Sequence, residues 1–378
     1  MHFNNAGASL MPYPVEEAVT EYIHKEARLG GYETAEKYRD NIESTYSNIA
    51  SLINAEPKEI ALLENATAAW NMAFYSVPFQ DGDRILTSQT EYASNFINFL
   101  HLQKTRGLDL SVEVVPSDEH GQTSPEALDA MMDDRVRLVA ITHMPTNGGL
   151  VNPVEKIGDV LNKDYDCIYL VDACQSVGQY PLNVKRIGCD LLSATGRKYL
   201  RGPRGTGFLY VNSRALASLF PPFLDLHSAE WESPDAYEIR QDARRFENWE
   251  SNYAGIVGLN EAVSYAMKLG IENIWNRIEY LGAHLRAQLA EVTGCTVQDI
   301  GEVKGGIVTF NMDGISAENV RSALAEKKIN VSVTDRSSTL IDMEKRGLDS
   351  LVRASVHYYN TEEEIEKLRQ ALLQLNEK

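Results

Sequence analysis

The stretch CIYLVDACQSVGQYPLNVKRIGCDLLSATGRKYLRGPRGTGFLYV (167–211) contains three short apolar runs, CIYLV (167–171), CDLLS (189–193) and GFLYV (207–211). Each run is apolar at consecutive positions and rich in β-branched or aromatic residues, the pattern of a strand covered on both faces. Toward the N-terminus, RILTS (84–88), SVEVV (111–115) and VRLVAIT (136–142) repeat it. Between the runs, 91–106, 124–134 and 153–163 read as helices, the second opened by Ser124 as cap and Pro125 in the first turn. Strands alternating with helices specify an α/β layer with right-handed crossovers. The expectation is a mainly parallel, seven-stranded-type sheet sandwiched by helices.

Further along, the segment from about 220 to 252 carries Pro221, Pro222, Pro234 and many charges, and reads as long loops. Residues 256–293 read as two helices. A βαβ-like unit follows (306–312, 316–328, 329–334), then a strand at 351–356 and an amphipathic helix at 361–376. Thr361 with Glu364 forms a capping box for that last helix. The expected division is a large domain over 16–252 and a small α+β domain combining 1–15 with 253–378.

Composition narrows the function classes. The formal charge of −18 argues against a nucleic-acid surface, which needs a basic stripe. No apolar run approaches the roughly 18 residues of a membrane span, and the N-terminus MHFNNAGASLMPYP has no basic region followed by an apolar one. The chain therefore reads as soluble and cytoplasmic. Cys167, Cys174, Cys189 and Cys295 form no CxxC pair and read as reduced thiols. No HExxH, no zinc spacing, no GxSxG elbow and no GxxxxGK[ST] loop appears, and no metal site is expected.

Ligands of open α/β sheets sit beyond the carboxyl ends of the strands. There, Asp172 ends IYLVD, and Lys198 follows SATGR 26 residues later. VDACQSVG (171–178) followed by SATGRKYLRGPRGTGFLYV (193–211) resembles the cofactor segment of fold-type-I pyridoxal-phosphate enzymes, specifically the class V aminotransferase group that includes the cysteine desulfurases. The resemblance extends to LLENATAAWN (62–71), TEYASN (90–95), LVRASVHYYNT (351–361) and NNAGASLMP (4–12). It implies that pyridoxal 5′-phosphate is the cofactor, bound through its aldehyde by Lys198, which then moves the Cα proton. Asp172 would face the pyridine nitrogen and favour its charged form, Gln175 would bond the phenolic oxygen, and Tyr92 would stack on the ring. Ala66, Thr67, Thr195 and Arg197 would hold the phosphate. Arg353 would clamp the substrate carboxylate. NNAGASLMP would fold over the site, and the partner would be a second copy in a homodimer with shared active sites.

The pattern also departs from the group. Desulfurases carry a persulfide-forming cysteine shortly before the substrate arginine, and VSVTDRSSTLIDMEKRGLDS (331–350) has none, which disfavours that reaction. In FENWESN (246–252), relatives often have a glycine-threonine pair that contacts the partner's phosphate. Here stands Trp249-Glu250, so either Glu250 points away or Ser251 or Asn252 makes the contact. In MPTNGG (144–149), relatives often place an asparagine against the phenolic oxygen or the substrate. Thr146 aligns there with Asn147 beside it, and Asn147 is the residue named.

These features look most like the sulfoxide lyases of thiol-histidine biosynthesis, such as the ergothioneine-pathway hercynylcysteine sulfoxide lyase. They imply cleavage of a Cβ–S bond of an amino acid. Transamination or epimerisation starts from the same residues and remains the alternative. A transaminase for dicarboxylates would want a second cation, for which Arg28, Arg201, Arg204 and Arg336 stand available.

Overall fold

The computed structural model describes residues 1–376. Its large sheet has seven strands, β1 (Ile60–Leu63), β2 (Arg84–Ser88), β3 (Ser111–Val115), β4 (Val136–Thr142), β5 (Ile168–Asp172), β6 (Leu191–Thr195) and β7 (Gly207–Val211), in the order β1-β7-β6-β5-β4-β2-β3. The last five of that order run parallel, while β7 is antiparallel to both β6 and β1. The apolar run at 207–211 alone does not reveal this reversal. A parallel return needs a crossover, usually helical, and 196–206 contains no helix, so Gly207 comes back to pair with Thr195. Gly207 is required there: a Cβ would sit 2.6 Å from Ala194 O and 2.8 Å from the Asn65 carbonyl carbon.

Alternate strand residues feed two buried layers. Tyr169, Val171, Leu192 and Phe208 join Ile49, Ile53, Leu259 and Val263 on one face. Leu170, Leu191 and Leu209 join Trp70, Phe74 and Phe99 on the other. Helix Tyr253–Leu269 thus contributes Leu259 and Val263 to the large sheet's core.

The segment expected as loops contains a hairpin, β8 (Ala229–Ser233) and β9 (Ala236–Ile239), with Trp231 opposite Tyr237. Both rings are exposed, so no buried-face alternation marked it. The small sheet, β10 (Cys295–Val297), β11 (Ile307–Met312), β12 (Ser332–Asp335) and β13 (Ser350–Ser355), has the order β10-β11-β13-β12 with antiparallel neighbours. The expected βαβ unit is therefore split by β13, which enters between its two strands. The N-terminal segment joins this domain: Phe3 is buried with Phe310, Val352 and Leu368, and Asn4 bridges to Ser355. Among the described residues no helix is long and apolar enough to cross a membrane.

Candidate active site

The ends of β4, β5 and β6 and the loop after β2 converge on the start of helix Ala66–Ser76, and a cavity of about 320 Å³ lies between them. Asn65 caps that helix by accepting the Ala68 amide at 2.9 Å.

β5 delivers Asp172, which is buried. Its Oδ1 accepts the Cys174 amide at 2.9 Å and its Oδ2 accepts the Asn95 side-chain amide at 2.9 Å. Burial raises its carboxyl above the ordinary value, against the pull of those donors and of Lys198. β6 delivers Thr195, and Gly196-Arg197 carry the chain on to Lys198, whose Nζ lies 3.2 Å from Cys174 Sγ. Tyr92, just before helix Ala93–Arg106, lines the same cavity, as do Gln175, Thr195 and Arg197. Gln175 Nε2 reaches Ala6 O at 3.2 Å, while its Oε1 is buried with no partner.

These residues fit pyridoxal 5′-phosphate. Gln175 lines the cavity with a buried Oε1 that has no partner and can accept from a phenolic hydroxyl. Asp172 presents a buried carboxylate that receives only neutral donors, the partner a protonated ring nitrogen needs. The helix start offers the phosphate its amides, and Lys198 is within the same cavity.

Three expectations change in detail. Asn147 turns away from the cavity: its Nδ2 donates to Thr339 Oγ1 at 2.8 Å and Asp335 O at 3.1 Å, and its Oδ1 accepts from Thr334. Asn147 thus pins the loop of 331–350, and Thr146 takes the wall. Arg353 lies behind that wall. Its Nη1 donates to Thr146 Oγ1 at 2.6 Å and to Thr146 O at 3.1 Å, and its Nε to Ser332 Oγ at 3.1 Å. Thr146 Oγ1 also accepts from Gln175 Nε2 at 3.4 Å, so one hydroxyl joins the arginine to the cofactor wall. Arg197 directs Nη1 to Gly7 O and accepts the Ser9 amide at 3.0 Å on its carbonyl, holding the N-terminal strap over the site. At the open position in 246–252, Asn252 caps helix Tyr253–Leu269 through the Gly255 amide at 2.9 Å. Glu250 lines a neighbouring cavity of about 660 Å³, which shares Glu64 and Gly205 with the first.

Sequence reasoning assigned no role to Glu91 or Asn95, although both stand in the quoted TEYASN. The signal was available: they are four apart, the spacing of one helical face, just past a strand end. Glu91 is buried beneath the site, and burial, opposed by its hydrogen bonds, pushes its carboxyl up to about 7. Burial raises the Cys174 and Cys189 thiols, and pushes those of Cys167 and Cys295 up to about 12.

Comparison with known proteins extends the pattern to the whole chain. The aminotransferase class-V family profile matches residues 1–368. A probable cysteine desulfurase of Methanothermobacter thermautotrophicus is 30% identical, over 98% of this chain and 94% of that protein. Among solved structures, the apo form of a cysteine desulfurase from Thermococcus onnurineus NA1 superposes with a TM-score of 0.92 at 27% identity, covering 99% of this chain and 94% of that one. A cystine C–S lyase in complex with its product cysteine persulfide superposes with a TM-score of 0.88 at 22% identity, covering 98% and 97%, a likeness of fold alone.

Proposed function

The chain belongs to the aminotransferase class-V family, with pyridoxal 5′-phosphate as cofactor, and from that premise we propose that it cleaves the Cβ–S bond of a cysteine S-conjugate or its sulfoxide. The products are a thiol or sulfenate, pyruvate and ammonia, with one water consumed. The observation that carries this reading is the thiol inventory. Segment 331–350 has no cysteine, and burial raises all four thiols, which opposes the thiolate that a persulfide-forming nucleophile must supply.

Bound pyridoxal phosphate supplies a conjugated electron sink for the pair left at the substrate Cα. The protein does the rest. Asp172 would hold the proton on the ring nitrogen. Ala66, Thr67, Thr195 and Arg197, which line the same cavity, would hold the phosphate, and Tyr92 would stack on the ring. Arg353 reaches the cavity wall through Thr146 Oγ1 at 2.6 Å and would have to extend past it to clamp the substrate carboxylate and so set which Cα bond is broken. Lys198 Nζ takes the Cα proton as general base. The Cβ–S bond then breaks with its electron pair leaving on sulfur, so no protein nucleophile is required. The strap of residues 4–12 shields this chemistry from water. The motif pattern favours sulfoxides of the kind used in thiol-histidine biosynthesis as the substrate class, and two such chains would complete the sites in a homodimer.

Desulfuration of free cysteine is the second reading. It is favoured by the name of the Methanothermobacter relative and by Cys174 Sγ lying 3.2 Å from Lys198 Nζ. Product analysis separates the two. Incubation with cysteine, cysteine S-conjugates and their sulfoxides should give pyruvate and ammonia in equal amounts from the conjugates. Alanine from cysteine, with its sulfur passed on as persulfide and released as sulfide by an added thiol reductant, would overturn the lyase in favour of a desulfurase. Bleaching of the visible band, reversed by a keto acid, would mean a transaminase.

A further inference from the structure

Two carboxylates lie one amide apart at the floor of the site. Glu91 Oε1 accepts from Asn95 Nδ2 at 2.8 Å, and the same Nδ2 donates to Asp172 Oδ2 at 2.9 Å. Glu91 also accepts from the Tyr92 amide at 3.1 Å, the Thr142 amide at 3.1 Å and Thr142 Oγ1 at 2.5 Å, and its Oε2 lies 3.0 Å from Thr87 Oγ1. Thr87 Oγ1 also lies 2.9 Å from Ala140 O, a group that can only accept. A hydroxyl has one proton. If Thr87 donates to Ala140, the contact with Glu91 Oε2 is satisfied by a proton on the carboxyl, and this gives Glu91 a place to keep one.

The charge count agrees. Asp172 is the charged group that acts on Glu91, and Lys198 acts in turn on Asp172. With Lys198 committed to the cofactor aldehyde, the proton on the ring nitrogen is the positive charge left to face Asp172, and it balances one carboxylate. A second buried carboxylate beside the first would be unpaired, a costly arrangement. We propose that Glu91 is a positioning residue for the cofactor's ring nitrogen, acting through Asn95 to orient Asp172 and keeping its own proton while Asp172 is ionised. Ionisation of Glu91 then adds a negative charge next to Asp172 and tightens the hold on the ring proton. The inference rests on the cavity being the pyridoxal-phosphate site, and not on which substrate bond is cleaved.

The test uses the loaded protein and titrates the visible absorption of the bound cofactor from pH 5.5 to 9. Wild type should show a transition with a midpoint within about one unit of pH 7, as its partly raised carboxyl implies. Glu91→Gln, neutral at every pH, should keep the visible band and lose the transition. Asn95→Leu should weaken cofactor affinity roughly tenfold, and its titration should no longer track Glu91. Thermal midpoints of the cofactor-free variants separate misfolding from loss of the link: a folded Glu91→Gln with the wild-type titration refutes the proposal, as does a wild-type spectrum flat across the range. If Glu91→Gln fails to fold, the Asn95→Leu titration decides, and persistence of the full transition there refutes it. A different result, no cofactor band in wild type, would overturn the reading of the cavity itself.

Discussion

Arg201 gives the sharpest prediction about how the site is closed. Its Nε donates to Leu10 O at 2.7 Å and its Nη1 to Tyr358 OH at 2.6 Å, and its guanidinium lies 4.4 Å from the Tyr359 ring centroid. The two bonds are charge-assisted but partly exposed, so each is taken at the low end, about 1.5 kcal/mol. The ring contact adds about 0.5–1 kcal/mol. Allowing for non-additivity among shared groups, Arg201→Ala should weaken closure of the strap tip by about 2–3 kcal/mol, which is roughly 30- to 150-fold in the opening equilibrium. Residues 4–6 keep their own anchors, Asn5 Nδ2 to Ser355 O at 2.7 Å and the Ala6 amide to Ser355 Oγ at 2.9 Å, so release should be confined to the tip. Hydrogen exchange of the Ser9 and Leu10 amides measures it, since these donate to Arg197 O and Tyr359 OH in the closed form. Arg201 also has φ +60, a left-handed backbone that suits glycine and strains alanine. Arg201→Gly should therefore open the tip as readily as Arg201→Ala yet be globally more stable by about 0.5–1 kcal/mol. Unchanged exchange at Ser9 and Leu10 in both variants would refute the argument that Arg201 holds the strap.

The other expectations can be stated together. Lys198→Ala should fold normally, show no visible cofactor band characteristic of wild type and have no turnover; residual turnover with cofactor present contradicts its role. Arg353→Lys keeps the charge and loses the fork, so kcat/KM should fall by about 2–3 kcal/mol, mostly through KM; an unchanged KM removes it as the carboxylate clamp. Alanine at each of Cys167, Cys174, Cys189 and Cys295 should leave pyruvate formation intact, and a dead single variant would restore the thiol-dependent reading. For pH, Glu91 has a folded value of about 7 against an ordinary 4.5, so the folded protein binds the extra proton between these values. Its contribution to stability is then present below about pH 4.5 and lost as pH rises toward 7, by about 3 kcal/mol in all. In chemical denaturation of the cofactor-free protein, the Glu91→Gln minus wild-type difference should therefore grow with pH over that window, and a constant difference contradicts it.

The parallel part of the sheet was legible because each strand is apolar on both faces and each crossover has a helical pattern. The direction of β7 was not, since a run such as GFLYV carries no sign of its orientation, and only the absence of a helix in 196–206 pointed to it. Hairpin β8–β9 was missed for the opposite reason: its strands bury no face, so no alternation marks them. In the site, Asp172 and Lys198 stood out because each follows an apolar strand within segments, VDACQSVG and SATGRKYLRGPRGTGFLYV, that resemble the class V cofactor segment. Their proximity is added by the fold, which brings both to one cavity. Asn147 was misjudged because Thr146 and Asn147 lie in the turn beyond β4, where no strand alternation tells which of the two faces the cavity. Glu91 escaped because a buried carboxylate becomes meaningful only when its neighbours are known, here Asn95 from one helical turn on and Asp172 from a strand 77 residues beyond Asn95.

A chain of net charge −18 that binds an anionic cofactor beside two buried carboxylates poses an electrostatic problem, and the fold separates its parts. The phosphate's place is the start of helix Ala66–Ser76, where backbone amides and the helix dipole supply the positive potential without a side-chain charge. The carboxylates sit at the other end of the ring's expected position, on β5 and at the end of β2, where the only cation they need is the ring proton itself. Between them Lys198 Nζ stands 3.2 Å from Cys174 Sγ. Moving a charge from one end to the other would undo the arrangement: a carboxylate at Thr67 would repel the phosphate, and a cation at Asn95 would compete with the ring nitrogen for Asp172. Thr67→Glu should therefore abolish cofactor binding while leaving the fold intact. Asn95→Lys should retain binding but shift the bound cofactor's absorption toward that of the unprotonated ring.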